Sequence, residues 1–287
     1  MLHPSTIQLL RFHFSFFLLP VFLFAVSYTS EVNWTSALLV FLILHLLVYP
    51  SSNGYNSYMD RDETPIGGLQ HPMQPTFQLF QVSVVMDSIA VLLSLLISWQ
   101  FALYVLIYIA ASRAYSYRGI RLKRFPILGF LTVFVFQGGF IFWSVIQAIE
   151  LAEPANVSWM IVITASLLIG ALYPLTQIYQ HEADRKDGVV TISYLLGKRG
   201  TFVLSMLQFL LAALFLFLHF RQVDQLNLFL LFLLITLPVV LFFLYWMWKV
   251  WKNEEAANFE NSFRMNVIAT VCITVYFSTL IILKHFE

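Results

Sequence analysis

Two stretches of the sequence gather carboxylates, amides and cations at helical spacings. The first reads Asn53-Gly54-Tyr55-Asn56-Ser57-Tyr58-Met59-Asp60-Arg61-Asp62-Glu63. On a helix Asn56 and Asp60 are four apart and Asp60 and Glu63 three apart, so these side chains adjoin. The second reads Gln177-Ile178-Tyr179-Gln180-His181-Glu182-Ala183-Asp184-Arg185-Lys186-Asp187-Gly188. Here Gln177, Gln180 and Asp184 fall at i, i+3 and i+7, again on one face. Carboxylate and amide oxygens so spaced are hard ligands suited to magnesium. That ion keeps several waters and bridges one or two carboxylates to phosphate oxygens.

A third stretch, Arg118-Gly119-Ile120-Arg121-Leu122-Lys123-Arg124, is basic. Arginine can grip phosphate oxygens in a bidentate way and lysine supplies a compact charge, so the three stretches together suit a diphosphate. Tyr55, Tyr58, Tyr115, Tyr117 and Tyr179 lie close by. Each stretch alone is also what a charged loop beside a membrane helix looks like, and tyrosines at helix ends are common in interfacial belts. The mixture of acids, amides and bases goes beyond that, because an orientation signal needs lysine and arginine only.

These stretches must be positioned by a membrane protein. Of 287 residues 60% are apolar and 11% charged, and the mean hydropathy is +0.79. A soluble domain carries about 25% charged residues, so soluble, disordered and nucleic-acid-binding classes are excluded. The net charge of +1 gives no polyanion footprint, and no nucleic-acid partner is expected. The single cysteine, Cys272, lies in an apolar run and excludes a CxxC metal or redox centre. Nine segments are long and apolar enough to cross a bilayer as helices: 14–30, 34–52, 78–97, 99–113, 127–148, 157–179, 202–220, 226–248 and 266–284. The first is read as a spanning helix rather than a cleaved leader, and the third and fourth are separated by a tight turn near Trp99-Gln100. The expected fold class is all-α: nine transmembrane helices in one bundle, forming a single domain over 1–287.

With the N-terminus on one side, that side receives fourteen of the sixteen basic residues, and the other keeps only Arg221 and Lys284. The bias places the N-terminus and the long connectors 53–77, 114–126 and 180–201 in the cytoplasm. The outer connectors, at 31–33, 151–158 and 221–225, are short. All three candidate stretches thus lie at one membrane face, in a bacterial-type inner or plasma membrane.

On these residues the chain resembles the UbiA superfamily of intramembrane prenyltransferases. Its first motif, NDxxDxxxD, is matched from Asn56 at the Asn, at the middle acid Asp60 and at the following Arg61, with Ser57 and Thr64 in two acidic places. The second, DxxxD with a basic stretch and Gly, is matched over Gln180 to Gly188, with Gln180 in place of the leading Asp. The tyrosine-plus-RLKR loop is matched by Tyr115-Ser116 and Arg121-Leu122-Lys123-Arg124. The resemblance implies a helical bundle with a central cavity open toward lipid. It also implies Mg2+-dependent transfer of a prenyl group from its diphosphate to a hydrophobic acceptor, an aromatic quinone-precursor ring by analogy. Metal ligands would be drawn from Asn56, Asp60, Asp62, Glu63, Gln180 and Asp184. Asp60, Asp184, Arg61 and Lys123 would carry the catalysis. Asn53, Asn56, Tyr115, Arg121, Arg124, Gln177, Gln180, Arg185 and Lys186 would hold the substrates. The substituted motif acids keep open a second reading, a lapsed homologue or transporter that binds prenyl lipids or other small molecules.

Two polar groups inside the spans carry two readings each. Asp87 is either an acid facing the cavity or a carboxylate bonded to a neighbouring helix. Gln137, beside Gly138-Gly139, either orients an acceptor or marks close helix packing through small residues. His45 and His219 show no ligand spacing.

Overall fold

The computed structural model describes residues 2–152 and 157–286. Nine long helices dominate it: α1 (Pro4–Tyr28), α2 (Trp34–Asp60), α3 (Phe77–Ser94), α4 (Trp99–Ser116), α5 (Pro126–Ile149), α6 (Trp159–Gln177), α7 (Ile192–Gln222), α8 (Leu226–Lys252) and α9 (Phe259–Phe286). Among the described residues eight helices are both long and apolar enough to cross a membrane. The segment expected as the fourth span is helical, α4, 18 residues long, but Gln100, Arg113 and three tyrosines make it less apolar than the rest and it is not among the eight.

The helix ends follow local chemistry. Asn33 caps α2 by accepting from the Ser36 N–H at 3.1 Å, and Ser98 caps α4 through the Phe101 N–H at 3.0 Å; such side chains satisfy otherwise orphaned amides. The tight turn falls at Leu95 to Ser98, slightly before the expected Trp99-Gln100. Pro126 opens α5, where a missing N–H costs nothing. Several helices run past their expected ends. In particular α2 continues to Asp60, so the first polar stretch sits on helix rather than in a connector.

Adjacent helices are joined alternately at two ends. At one end Thr29, Glu31, Glu150 and Lys284 meet: the Ser30 N–H donates to Glu150 at 2.8 Å, the Leu151 N–H to the Glu31 carbonyl at 2.9 Å, and the Lys284 ammonium to the Thr29 carbonyl. The connector expected at 151–158 includes 153–156, which lie outside the described residues. The other end carries the long connectors and all three polar stretches.

Lipid offers no hydrophobic drive for helices to associate, so small residues that permit close approach matter. A Cβ on Gly138 of α5 would lie 2.4 Å from the Ser166 Cα of α6, so only glycine fits there. The Gly139 N–H donates to Ser166 Oγ at 2.8 Å. Two helices carry π segments with an extra residue per turn, Ile43–Val48 in α2 and Phe134–Phe140 in α5. Such widened turns free backbone groups and occur often at functional sites.

Candidate active site

At the polar end α1, α2, α4, α5, α6 and α9 surround a cavity of about 230 Å³. Asn53, Asn56 and Asp60 reach it from the last turns of α2, and Asp62 from just beyond. Arg61 stops the helix by taking a left-handed conformation, φ 55°. That conformation is uncommon for a residue with a side chain, and the chain turns there. Arg11 and Arg121, at φ 48° and 50°, break their segments in the same way. Backbone strain of this kind concentrates around functional sites.

Asp60 is nearly buried and fully engaged. Its Oδ2 accepts from the Asn56 amide at 2.9 Å and from the Lys123 ammonium, and Arg121 lies 3.4 Å from Oδ1. Asn56 also donates to Ser116 Oγ of α4 at 3.1 Å. The segment between α4 and α5 therefore joins the two acidic stretches. Arg121 pairs with Asp187 and donates to its carbonyl at 3.0 Å, while Arg118 donates to the Met59 carbonyl at 2.8 Å.

From the second stretch Gln177, Gln180 and Asp184 line the same cavity. A turn after α6 leads into a short helix, His181–Lys186, which presents Asp184. The Asp184 Oδ2 is buried without a hydrogen-bond partner. Burial pushes the Asp184 carboxyl up to about 7, with Asp62 and Asp60 adding to the rise and Lys123 opposing it. Burial likewise lifts Asp62 to about 6, helped by Asp60 and opposed by Lys123 and Arg11. Asp187 goes the other way: burial would raise it, but Arg121 and Arg118 hold it below the usual range. Tyr115 hydrogen-bonds Tyr173 at 2.6 Å, and Gln177 donates to Tyr173 at 2.7 Å.

Among the described residues no three carboxylates, imidazoles or thiols converge closely enough to hold a metal ion alone. Asp60, Asp62 and Asp184 nevertheless face one cavity, and Asp184 has an orphaned oxygen. Two of the three carboxylates resist ionisation because burial and the neighbouring acids outweigh the nearby cations. This donor set fits a hard cation that completes its shell with water and phosphate oxygens.

Of the residues expected from sequence, Asn53, Asn56, Asp60, Asp62, Tyr115, Lys123, Gln177, Gln180 and Asp184 come together on the cavity wall, and Arg121 stands behind them. Arg61, Glu63, Arg124, Arg185 and Lys186 are exposed and do not line it. Arg61 lies over the Tyr58 ring and Arg124 over Phe125. Asp87 is bonded to neighbouring helices, accepting from Ser51 of α2 and Arg113 of α4. Gln137 lines the cavity, and the adjoining glycines pack closely on α6.

Arg11 is the main addition. Its guanidinium lines the cavity, donates to the Gly67 carbonyl at 3.0 Å and the Asn53 carbonyl at 3.1 Å, and is only 5% exposed. In the sequence it reads as one more orienting charge; the signal was its place just before an apolar run, which does not reveal a fold back onto 53–67. Tyr49, Tyr108 and Tyr173, also on the wall, are masked in sequence by their apolar surroundings.

The family model of the UbiA prenyltransferases matches residues 16–268. The chain belongs to the UbiA prenyltransferase family. Its fold is that of a UbiA homolog from Archaeoglobus fulgidus solved with DMAPP and Mg2+, at 17% identity and TM-score 0.71 over 96% of this chain and 99% of that one. A UbiA homolog from Aeropyrum pernix K1, in its apo form, aligns at 17% identity and TM-score 0.69 over 93% and 97% of the two chains. A digeranylgeranylglyceryl phosphate synthase structure aligns at 16% identity and TM-score 0.60 over 97% and 96%. No curated protein matches the sequence.

Proposed function

We propose that the protein transfers a prenyl group from a prenyl diphosphate to a hydrophobic acceptor within the membrane, in a single domain spanning 1–287. The observation that carries this reading is the meeting of Asp60, Asp62 and Asp184 on one cavity wall with Lys123 among them. A UbiA homolog of this fold has been solved with GPP and Mg2+. Magnesium here would be held by Asp60, Asp62 and Asp184, with Asn56 and Gln180 beside them. When bound, it supplies positive charge to the diphosphate.

The chain's own residues do the rest. Lys123 and Arg121 neutralise charge that grows on the diphosphate as the C–O bond of the prenyl donor breaks. Charge stabilisation fixed in advance is usually the largest catalytic term, about 3–4 kcal/mol for one donor. Asn53, Gln177 and Tyr115 orient the headgroup at the mouth. The apolar wall of Val133, Phe136, Ile169 and Leu172 excludes water that would otherwise quench the allylic cation. The acceptor we favour is an aromatic quinone-precursor ring, whose electron-rich carbon takes the prenyl group and then loses a proton. The basic residues gathered at the site end support a cytoplasmic side for that end and the N-terminus, and the membrane we favour is a bacterial-type inner membrane.

The test is a screen of quinone-precursor rings against geranyl, farnesyl and geranylgeranyl diphosphates in membranes containing the protein, read by lipid mass spectrometry with pyrophosphate release. Magnesium-dependent prenylated product supports the reading. Tight diphosphate binding without turnover on any acceptor would instead favour the lapsed homologue.

A further inference from the structure

Deeper in the same cavity stands a second polar group that the diphosphate chemistry does not use. Tyr49 of α2, Tyr108 of α4 and Gln137 of α5 line its inner wall. Tyr49 is 2% exposed and Tyr108 3%. Tyr49 lies about three helical turns before Asp60, roughly 16 Å along the axis at 1.5 Å per residue. Asn53 lies one helical turn beyond Tyr49, between it and Asp60.

Tyr108 and Gln137 stand on the same wall of the cavity. The Tyr49 ring packs edge-on to Tyr108 with centroids 5.8 Å apart, and its hydroxyl is buried with no hydrogen-bond partner. A lone hydroxyl in such surroundings is costly, because native structures pair nearly all buried polar groups. The backbone around it is also specially shaped. Tyr49 directly follows the π segment Ile43–Val48, and Gln137 sits inside the π segment Phe134–Phe140. Each irregular turn delivers one polar side chain to this wall. Around them Val133, Phe136 and Ile169 are apolar.

We propose that Tyr49, Tyr108 and Gln137 form a polar anchor for the acceptor: a site that takes the hydroxyl or carbonyl of a flat, otherwise apolar ring. The inference rests on the prenyl-transfer reading for its biological meaning, but the site itself needs neither diphosphate nor turnover. It makes acceptor choice a matter of hydrogen bonding deep in the bundle, while donor choice is set at the mouth. A site built to hydrogen-bond a substrate rejects analogues that lack the partner group.

The experiment compares 2-naphthol with 2-fluoronaphthalene, which has nearly the same shape but no hydroxyl. The full chain in nanodiscs is titrated with 2-fluoronaphthalene by fluorine NMR, and 2-naphthol is used to displace it. Wild type is expected to prefer the naphthol by about tenfold, the scale of one buried hydrogen bond. Tyr49→Phe and Gln137→Met should each bring that ratio toward one while fluoronaphthalene still binds. Binding of GPP with Mg2+ to Tyr49→Phe should stay at the wild-type level. An unchanged naphthol preference in both variants overturns the proposal. So does failure of either probe to bind wild type, the result expected of a pocket holding water only. Absence of pyrophosphate release would count against the transfer reading and leave this ratio readable.

Discussion

Lys123 donates to the same oxygen of Asp60 that accepts from Asn56. One contact thereby ties the end of α2 to the segment before α5. Removing the ammonium takes away a phosphate counter-charge and also loosens Asp60. Lys123→Ala is expected to slow pyrophosphate release from a prenyl diphosphate by about 100-fold or more, the size of one lost charge-stabilising donor. The check is a pyrophosphate assay with saturating acceptor. The lysine analogue with an uncharged tip, Lys123→Met, should do no better than alanine.

Asp62 and Glu63 are neighbours in sequence with opposite placements. Asp62 faces the cavity, whereas Glu63 is exposed and off its wall. Asp62→Asn should weaken Mn2+ binding, followed by electron paramagnetic resonance, by about tenfold or more. Glu63→Gln should leave it within a factor of two, roughly the scatter expected for an exposed substitution. Equal losses in the two variants would remove Asp62 from the ligand set.

Asp184 gives a pH dependence with a definite sign. Its folded-state pKa, about 7, is raised above the ordinary 3.8, so the native protein favours the protonated form. The carboxyl is therefore harmless below about pH 4, increasingly destabilising as pH rises toward 7, and at its full penalty above that. In metal-free protein, Asp184→Asn should melt higher than wild type at pH 8, and the margin should vanish near pH 4. Comparing the two curves cancels the other titrating groups. Added Mg2+ should reverse the order at pH 8, because only wild type gains a bound cation.

The Asp87–Arg113 pair is largely shielded, with side chains 13% and 19% exposed, and the guanidinium also lies 3.9 Å from the Tyr55 ring centre. Removing one partner strands the other charge inside the bundle, at a cost of about 3–5 kcal/mol. Asp87→Ala should therefore lower the thermal midpoint in detergent markedly. The double variant Asp87→Leu with Arg113→Met should recover most of it. A double variant no more stable than the single would show that the pair contributes more than mutual neutralisation.

How far the sequence reveals this molecule depends on the range of the interaction. Hydrophobic length marks the spans because lipid requires it, and helical spacing places Asn56 and Asp60 on one face of α2, whereas Gln177 and Asp184 meet through the turn at 178–180 rather than along one continuous helix. Helix α4 is the exception in composition, carrying Arg113, whose partner Asp87 stands on another helix. What the sequence does not reveal is produced by folding back: Arg11 reaching Gly67, or Arg121 reaching Asp187. The exposed positions of Arg61, Glu63, Arg124, Arg185 and Lys186 have the same origin. Periodicity places a residue on a helix face, but the left-handed breaks at Arg61 and Arg121 set the direction of the chain beyond them. The π segments are equally silent in sequence, because the phase shift of an extra residue leaves little mark on a helix that is apolar on most sides.

The proposed function requires the α2 end and the segment after α6 to hold one diphosphate between them. The decisive measurement is calorimetric titration of geranyl diphosphate into purified wild type, Asp60→Asn and Asp184→Asn, with and without Mg2+. Binding is expected to require Mg2+ and to fall by about tenfold or more in each variant, while both variants still insert and fold. Binding that is indifferent to Mg2+, or unchanged in either variant, would overturn this arrangement.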